Sequence, residues 1–131
     1  MILLFVYGSL LKGLRLHFHL EDARFIGDAF LNNAKLYDLG SYPALVLEGD
    51  GIVYGELYAV DRLILGNLDF VEGVEKDTSR SLYRRVLQKI KLKDGRSARA
   101  YVYVFNQFIP LSCVEIVGHY RNYVNGCERK V

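Results

Sequence analysis

"LLFVYGSLLKG", residues 3–13, is the stretch on which the reading of this chain turns. An unbroken apolar run stops at Tyr7-Gly8-Ser9, resumes for two leucines and stops again at Lys12-Gly13. Apolar residues at every position from Ile2 to Val6 predict a strand buried on both faces or lining a barrel. An ordinary strand end needs only polar turn residues. A loop that presents its own amides to a ligand would need this glycine, which can take positive φ and bring backbone close to a bound group. Successive amides in such a loop can form an anion nest, Ser9 adds a hydroxyl donor, and Tyr7 adds an apolar wall with a polar tip. A tight turn with local Ser hydrogen bonding fits the same residues. A phosphate-binding P-loop does not, because no second glycine followed by Lys-Ser or Lys-Thr is present.

The 131 residues fit one domain, 1–131, long enough to enclose a core without staples. Apolar residues make up 51% and charged residues 24%, a soluble globular profile, and the net charge of +2 is too small to draw nucleic acid or a membrane surface. Cys113 and Cys127 match no metal-ligand or C-x-x-C spacing and make no disulfide framework. Met1 to Tyr7 is too short for a signal segment, and no run approaches the roughly 20 apolar residues of a membrane span. The expected location is the cytoplasm, with no metal, cofactor, nucleic acid or membrane partner. Oligomeric state is left open.

Strands are expected at Arg24–Leu31 and Ala34–Leu39 around an Asn32-Asn33 turn, at Ala44–Leu47, and at Ile52–Val60 after an Asp50-Gly51 hairpin signal. Gly55 inside the last of these marks a bulge or a close approach. Lys12 to Glu21 reads either as a strand or as a short irregular segment. Asp61 is the expected N-cap of a helix from Arg62 to Glu72, with Ile64, Leu65, Leu68 and Val71 at helical spacing and Gly73 at the C′ position. Tyr83–Leu92 and Ala98–Phe105 alternate around Asp94-Gly95 and form a hairpin. The predicted class is α+β, a small closed or partly closed barrel of mixed strands with flanking helix.

Glu72 is the second unusual residue. It follows Leu68 by four and Ile64 by eight, so it continues an apolar face, and it sits in the last helical turn where the macrodipole disfavours negative charge by roughly 0.3–1 kcal/mol. Burial and dipole both raise a carboxyl pKa, which makes Glu72 a candidate general base. An exposed glutamate in a frayed turn has the same spacing. Asp69, one position off that face, is expected to pack locally or stay solvated. Tyr101 and Tyr103 share a strand face with Phe105 and would form either core or the wall of a barrel pocket. Tyr83-Arg84-Arg85 reads as a solvated strand start, His119 as a surface residue, and His17 and His19 lack a third metal ligand.

"FVYGSLLKG" at 5–13 resembles the Y-G-[ST]-L-x-x-G loop of the γ-glutamylcyclotransferase-like superfamily. "LYDLGSYPALV" at 36–46, "VYGELYAVD" at 53–61, "LDFVEGV" at 68–74, "YRRVLQKI" at 83–90 and "AYVYVF" at 100–105 follow in that family's order, and "GHYRNYV" at 118–124 is similar to its closing Gly-Asp-Trp segment. The resemblance implies a small mixed-strand β-barrel with flanking helices and a pocket between the first loop and the carboxylate. It implies that Tyr7, Gly8, Ser9 and Leu10 form the loop that holds substrate and that Glu72 is the general acid/base; Tyr103, from its strand face, is the expected substrate contact on the pocket wall. Leu16, where many relatives carry Asn, Leu10 in place of the Asn of the glutathione-pathway enzymes, and His119-Tyr120 in place of Asp-Trp are departures that bear on substrate more than on fold. The implied reaction is intramolecular attack of a γ-glutamyl α-amine on its own γ-carbonyl, which releases 5-oxoproline and an amine without cofactor. A binding module for a small carboxylate metabolite and a purely structural domain are the other readings of the same fold.

Overall fold

The computed structural model describes residues 2–40, 42–75 and 79–129, with only the helical backbone given for 126–129. Within them the chain forms β1 (Ile2–Val6), β2 (Arg24–Asn32), β3 (Lys35–Asp38), β4 (Pro43–Val46), β5 (Ile52–Val60), helix α1 (Arg62–Val71), β6 (Tyr83–Leu92), β7 (Ser97–Phe105), β8 (Val114–Ile116) and helix α2 (Tyr120–Arg129). Five strands close a barrel in the order β1-β5-β2-β6-β7, and β4-β3-β8 make a second sheet. The barrel is mixed because β1 meets β7 in parallel while the other pairings are antiparallel. The expected α+β barrel is therefore the observed one. No helix among the described residues is long and apolar enough to cross a membrane.

Most strand expectations hold to within a residue or two. Lys12–Glu21 is the irregular alternative: turns lead into a 3-10 turn at His17–Leu20. Asn33 takes positive φ (60°) and carries the chain out of the barrel, so β2 and β3 belong to different sheets. Asp50-Gly51 is not a hairpin turn. It joins β4, which pairs with β3, to β5, which lies between β1 and β2. The reason is burial: β5 is covered at seven of its nine positions and takes barrel neighbours on both edges. The closing segment, read from sequence only as a motif, forms α2.

Gly55 marks a close approach, and the register runs through it unbroken; the irregularity lies across the pair, between Phe25 and Gly27 of β2. A Cβ on Gly55 would lie 2.1 Å from the Val6 carbonyl oxygen and 2.8 Å from Phe5 Cζ. Backbone cannot give way there without opening β1 from β5. Phe5, Leu4, Leu57, Ile90 and Val102 fill the core beneath this contact.

Glu56, the next residue, is a buried carboxylate at 4% exposure. It accepts from the Lys12 amide (2.9 Å), the Tyr58 hydroxyl (3.1 Å) and Arg121 Nη2 (2.6 Å). Arg121 Nε also donates to the Lys12 carbonyl (2.9 Å). One side chain thus joins the loop after β1, the barrel and α2. Burial alone would raise the Glu56 carboxyl, but the Lys12 amide, Arg121 and Tyr58 outweigh it and hold it below the ordinary value.

Gly55→Ala should lower the unfolding free energy by at least about 2 kcal/mol, within the usual cost of overpacking but with backbone as the obstacle. Urea titration of parent and variant measures this. Stability within about 0.5 kcal/mol of the parent would contradict the close approach.

Candidate functional site

The loop that leaves β1 is held by its carbonyls. Gly8 O accepts from Leu11 N (3.0 Å), Ser9 O from Leu16 N (3.0 Å), Leu11 O from Leu14 N (3.0 Å), and Leu10 O takes a bond from His17 Nδ1 (2.8 Å). The last bond assigns the proton of His17 to Nδ1. Among the described residues no backbone carbonyl accepts from the amides of Ser9 and Leu10. The loop is thus anchored through its acceptors and keeps two donors available. Gly8 does not adopt positive φ. A Cβ there would meet Pro43 Cγ at 2.6 Å and Cδ at 3.3 Å, so glycine is needed to let the loop lie against a rigid proline ring of β4.

The opposite wall is the end of α1. Asp61 caps its start, accepting from Ile64 N (2.8 Å), and Leu65 and Leu68 are its buried face. Its end is a Schellman closure: Val74 N donates to Asp69 O (2.9 Å), Gly73 N to Phe70 O (3.2 Å), and Gly73 has φ +68°. Glu72 is the residue just before that turn, and Leu82 N donates to Gly73 O (2.9 Å), tying the turn to β6. The helix geometry thus fixes the direction of the Glu72 side chain.

Loop and helix end face each other across a cavity of about 320 Å³ lined by Tyr7, Gly8, Ser9, Leu10, Glu72 and Tyr103 together with Arg15, Tyr42, Pro43 and Tyr83. Every site residue expected from the sequence lies on this one cavity. The Tyr7 hydroxyl is spent within the protein, donating to the Tyr103 carbonyl (2.5 Å), and the Tyr103 hydroxyl donates to Asp69 Oδ1 (2.7 Å). Asp69 is therefore not simply solvated: Arg85 Nη1 pairs with its other oxygen at 2.8 Å and lies over the Tyr101 ring. Tyr83, read from sequence as a solvated strand start, is buried and donates to the Pro43 carbonyl (2.5 Å). The alternation of β6 did not carry that signal: Tyr83 shares parity with Leu87, Lys89 and Lys91, which are exposed, while the buried Ile90 and Leu92 have the other parity. Arg15 and Tyr42 had no signal short of the folded loop.

Among the described residues no side chain donates a hydrogen bond to the Glu72 carboxylate. Burial lifts its pKa to about 7. The phenols of Tyr7, Tyr83 and Tyr103 are all raised, first by burial and in part by the Glu72 charge, so that charge reaches three walls of the cavity. His119 is not fully exposed; burial and Arg121 lower its pKa. Cys113 is a free thiol, and the side chain of Cys127 lies outside the described residues. No group of three His, Cys, Asp or Glu residues able to hold a metal occurs among the described residues.

A closed five-strand mixed barrel with a loop and a carboxylate facing across its rim defines the γ-glutamylcyclotransferase-like fold class. The family described as "Gamma-glutamyl cyclotransferase, AIG2-like" matches residues 4–122, and the chain belongs to that family. A Vibrio cholerae protein named "Putative gamma-glutamylcyclotransferase" is 42% identical over 106 residues, 80% of this chain and 83% of the relative. A Methanocaldococcus jannaschii protein of the same description is 34% identical over 91% of this chain and 95% of its own. Among solved structures, an uncharacterised Pyrococcus horikoshii protein superposes with a TM-score of 0.73 at 22% identity, covering 99% of this chain and 98% of that one. A mouse AIG2-like protein gives 0.70 at 27% identity, covering 84% of this chain and 80% of its own.

The raised pKa has a consequence for stability. Below pH 4.5, the ordinary value, Glu72 is protonated in both folded and unfolded chains. Between 4.5 and about 7 the unfolded chain ionises first, so stability falls as pH rises, and above about 7 the cost is complete. Glu72→Gln should therefore be more stable than the parent by about 1–3 kcal/mol at pH 8, with the gain fading towards pH 4.5. Chemical denaturation at several pH values measures it. A variant less stable than the parent at pH 8 would contradict a half-buried carboxylate without a partner among the described residues.

Proposed function

We propose that this protein is a γ-glutamyl cyclotransferase in which Glu72 is the general acid/base. The observation that carries the reading is a carboxylate of raised pKa, unpaired among the described residues, across a cavity from a loop whose Ser9 and Leu10 amides meet no carbonyl among them. The family membership and the names of the relatives support the same reaction class.

The chemistry asks for little more. The substrate's α-amine attacks its own γ-carbonyl carbon, forming the ring C–N bond and a tetrahedral oxyanion. The C–N bond to the leaving amine then breaks, giving 5-oxoproline and a free amine. Holding the glutamyl chain folded in the cavity removes most of the entropic cost of an attack that is already intramolecular. Glu72 takes one proton from the α-ammonium and passes it to the leaving nitrogen; the second proton shed by the ring nitrogen ends on the released amine as its ammonium, so the enzyme ends as it began. A pKa near 7 suits a group that must both accept and donate that proton at neutral pH. The amides of Ser9 and Leu10 would hold the α-carboxylate or the oxyanion, and Gly8, Tyr7 and Tyr103 shape the wall against which the chain folds. No group outside the chain enters any of these steps, so turnover should survive exhaustive chelation.

Glu72→Gln should lose on the order of 10²–10⁴-fold in turnover of a γ-glutamyl amine, while affinity for 5-oxoproline changes less than about threefold. In the parent, kcat/KM should rise with pH through an apparent pKa set by Glu72 on its acid side. Near-parental turnover of the folded variant would refute the assignment, and binding of 5-oxoproline with no turnover of any γ-glutamyl amine would favour a metabolite-binding module.

A further inference from the structure

Four tyrosines line the main cavity, and three of their hydroxyls are committed to the protein. Tyr7 donates to the Tyr103 carbonyl (2.5 Å), Tyr83 to the Pro43 carbonyl (2.5 Å) and Tyr103 to Asp69 Oδ1 (2.7 Å). The hydroxyl of the fourth, Tyr42, has no hydrogen-bond partner among the described residues. Its ring is nevertheless held. The Tyr42 carbonyl accepts from Leu39 N (3.1 Å), and the ring packs edge-on against Tyr83, with centroids 6.2 Å apart at 63°. Tyr83 is in turn anchored to the carbonyl of Pro43, the residue after Tyr42. The two phenols are close enough for Tyr42 to help raise the Tyr83 pKa. A held ring whose donor is not spent within the described protein is available to a ligand in the cavity.

We infer that the Tyr42 hydroxyl binds the α-carboxylate of the glutamyl group, beside the Ser9 and Leu10 amides, and makes a free carboxylate at that position a condition of tight binding. The inference rests on the cyclotransferase reading for the identity of the substrate, but the binding itself does not require turnover. Pro43 is the residue on which Gly8 lies: a Cβ on Gly8 would be 2.6 Å from Pro43 Cγ. Tyr42 is thereby held beside the start of the loop whose next two amides meet no carbonyl among the described residues. Two amides and a phenol are three donors on adjoining segments. A carboxylate presents two oxygens with about four lone-pair sites and is charged before the reaction begins, so it can take all three. The carbonyl under attack offers a single oxygen and stays neutral until the tetrahedral stage. Tyr42 therefore acts on binding rather than on the chemical step, which is left to Glu72.

The test separates the carboxylate from the rest of the ligand. Binding of 5-oxoproline and of its primary amide, in which a neutral carboxamide replaces the carboxylate, is measured by titration calorimetry on the unaltered protein and on Tyr42→Phe. Steady-state turnover of a γ-glutamyl amine is followed in parallel. Phe keeps the ring and its contact with Tyr83 and removes only the hydroxyl, so the variant should melt within about 2 °C of the parent. The unaltered protein should bind the acid at least about 10-fold tighter than the amide. Tyr42→Phe should bind the acid about 10- to 100-fold more weakly, the loss of one hydrogen bond to a charged group, with the amide changed less than about threefold. KM should rise by a similar factor while kcat stays within about threefold. Acid bound equally well by the parent and by folded Tyr42→Phe overturns the role of Tyr42. A loss confined to kcat overturns the carboxylate as its partner. Equal binding of acid and amide by the unaltered protein overturns the carboxylate site even if the variant does not fold. If no γ-glutamyl amine is turned over while Tyr42→Phe still loses the acid, the cyclotransferase reading fails and the carboxylate contact stands.

Discussion

Glu56 accepts from the Lys12 amide, the Tyr58 hydroxyl and Arg121, and the geometry of the site is built outward from that point. The residue is reachable only because Gly55 lets β1 lie flush on β5, with Val6 opposite Glu56. From there Lys12 is fixed, the turns from Gly8 to Leu16 close on their own carbonyls, and Arg121 brings α2 against the loop. Glu56 is buried while Arg121 is partly exposed, so removing Arg121 would leave the Glu56 charge with two neutral donors, at a cost to stability. The loop is therefore not a free connection. Its carbonyls and the Lys12 amide are tied down by hydrogen bonds, which is what a preorganised set of amide donors requires.

The site depends on a contrast between two glutamates of the same fold. Glu56 is deeper but has three donors, and its carboxyl is held down. Glu72 is less buried but has no side-chain donor among the described residues, and its carboxyl is lifted to about 7. Partners, not depth, separate an anchor from a proton carrier. The Schellman closure at Gly73 keeps Glu72 on the cavity wall, at the end of the helix where the dipole does not favour its charge.

Local signals carried much of this from the sequence alone. The β1 run, the Asp61 cap, the Gly73 stop and the β6–β7 hairpin each depend on residues a few positions apart, and each is observed. The convergence of Tyr7 to Leu10 with Glu72 came from the resemblance rather than from spacing. What was not legible is what depends on sheet membership. Asp50-Gly51 has the chemistry of a hairpin, but β4 finds its partner in β3, and nothing local reports that. Glu56 lies inside an apolar strand, and Arg121, its partner, is 65 residues away. Arg15 and Tyr83 came to line the cavity only when loop, second sheet and barrel met. Gly8 was legible as necessary but for a different reason: its contact is Pro43, not a left-handed turn.

The central claim is that the Glu72 carboxyl carries a proton near neutral pH at the place where substrate binds. Carbon NMR of protein labelled at glutamate side-chain carboxyls reads this directly, with Glu72→Gln assigning the resonance by its absence. Glu72 should titrate near pH 7, well above the exposed glutamates, and its resonance should shift when 5-oxoproline is added. A Glu72 carboxyl that titrates at the ordinary value near 4.5, and is indifferent to the ligand, would contradict the account.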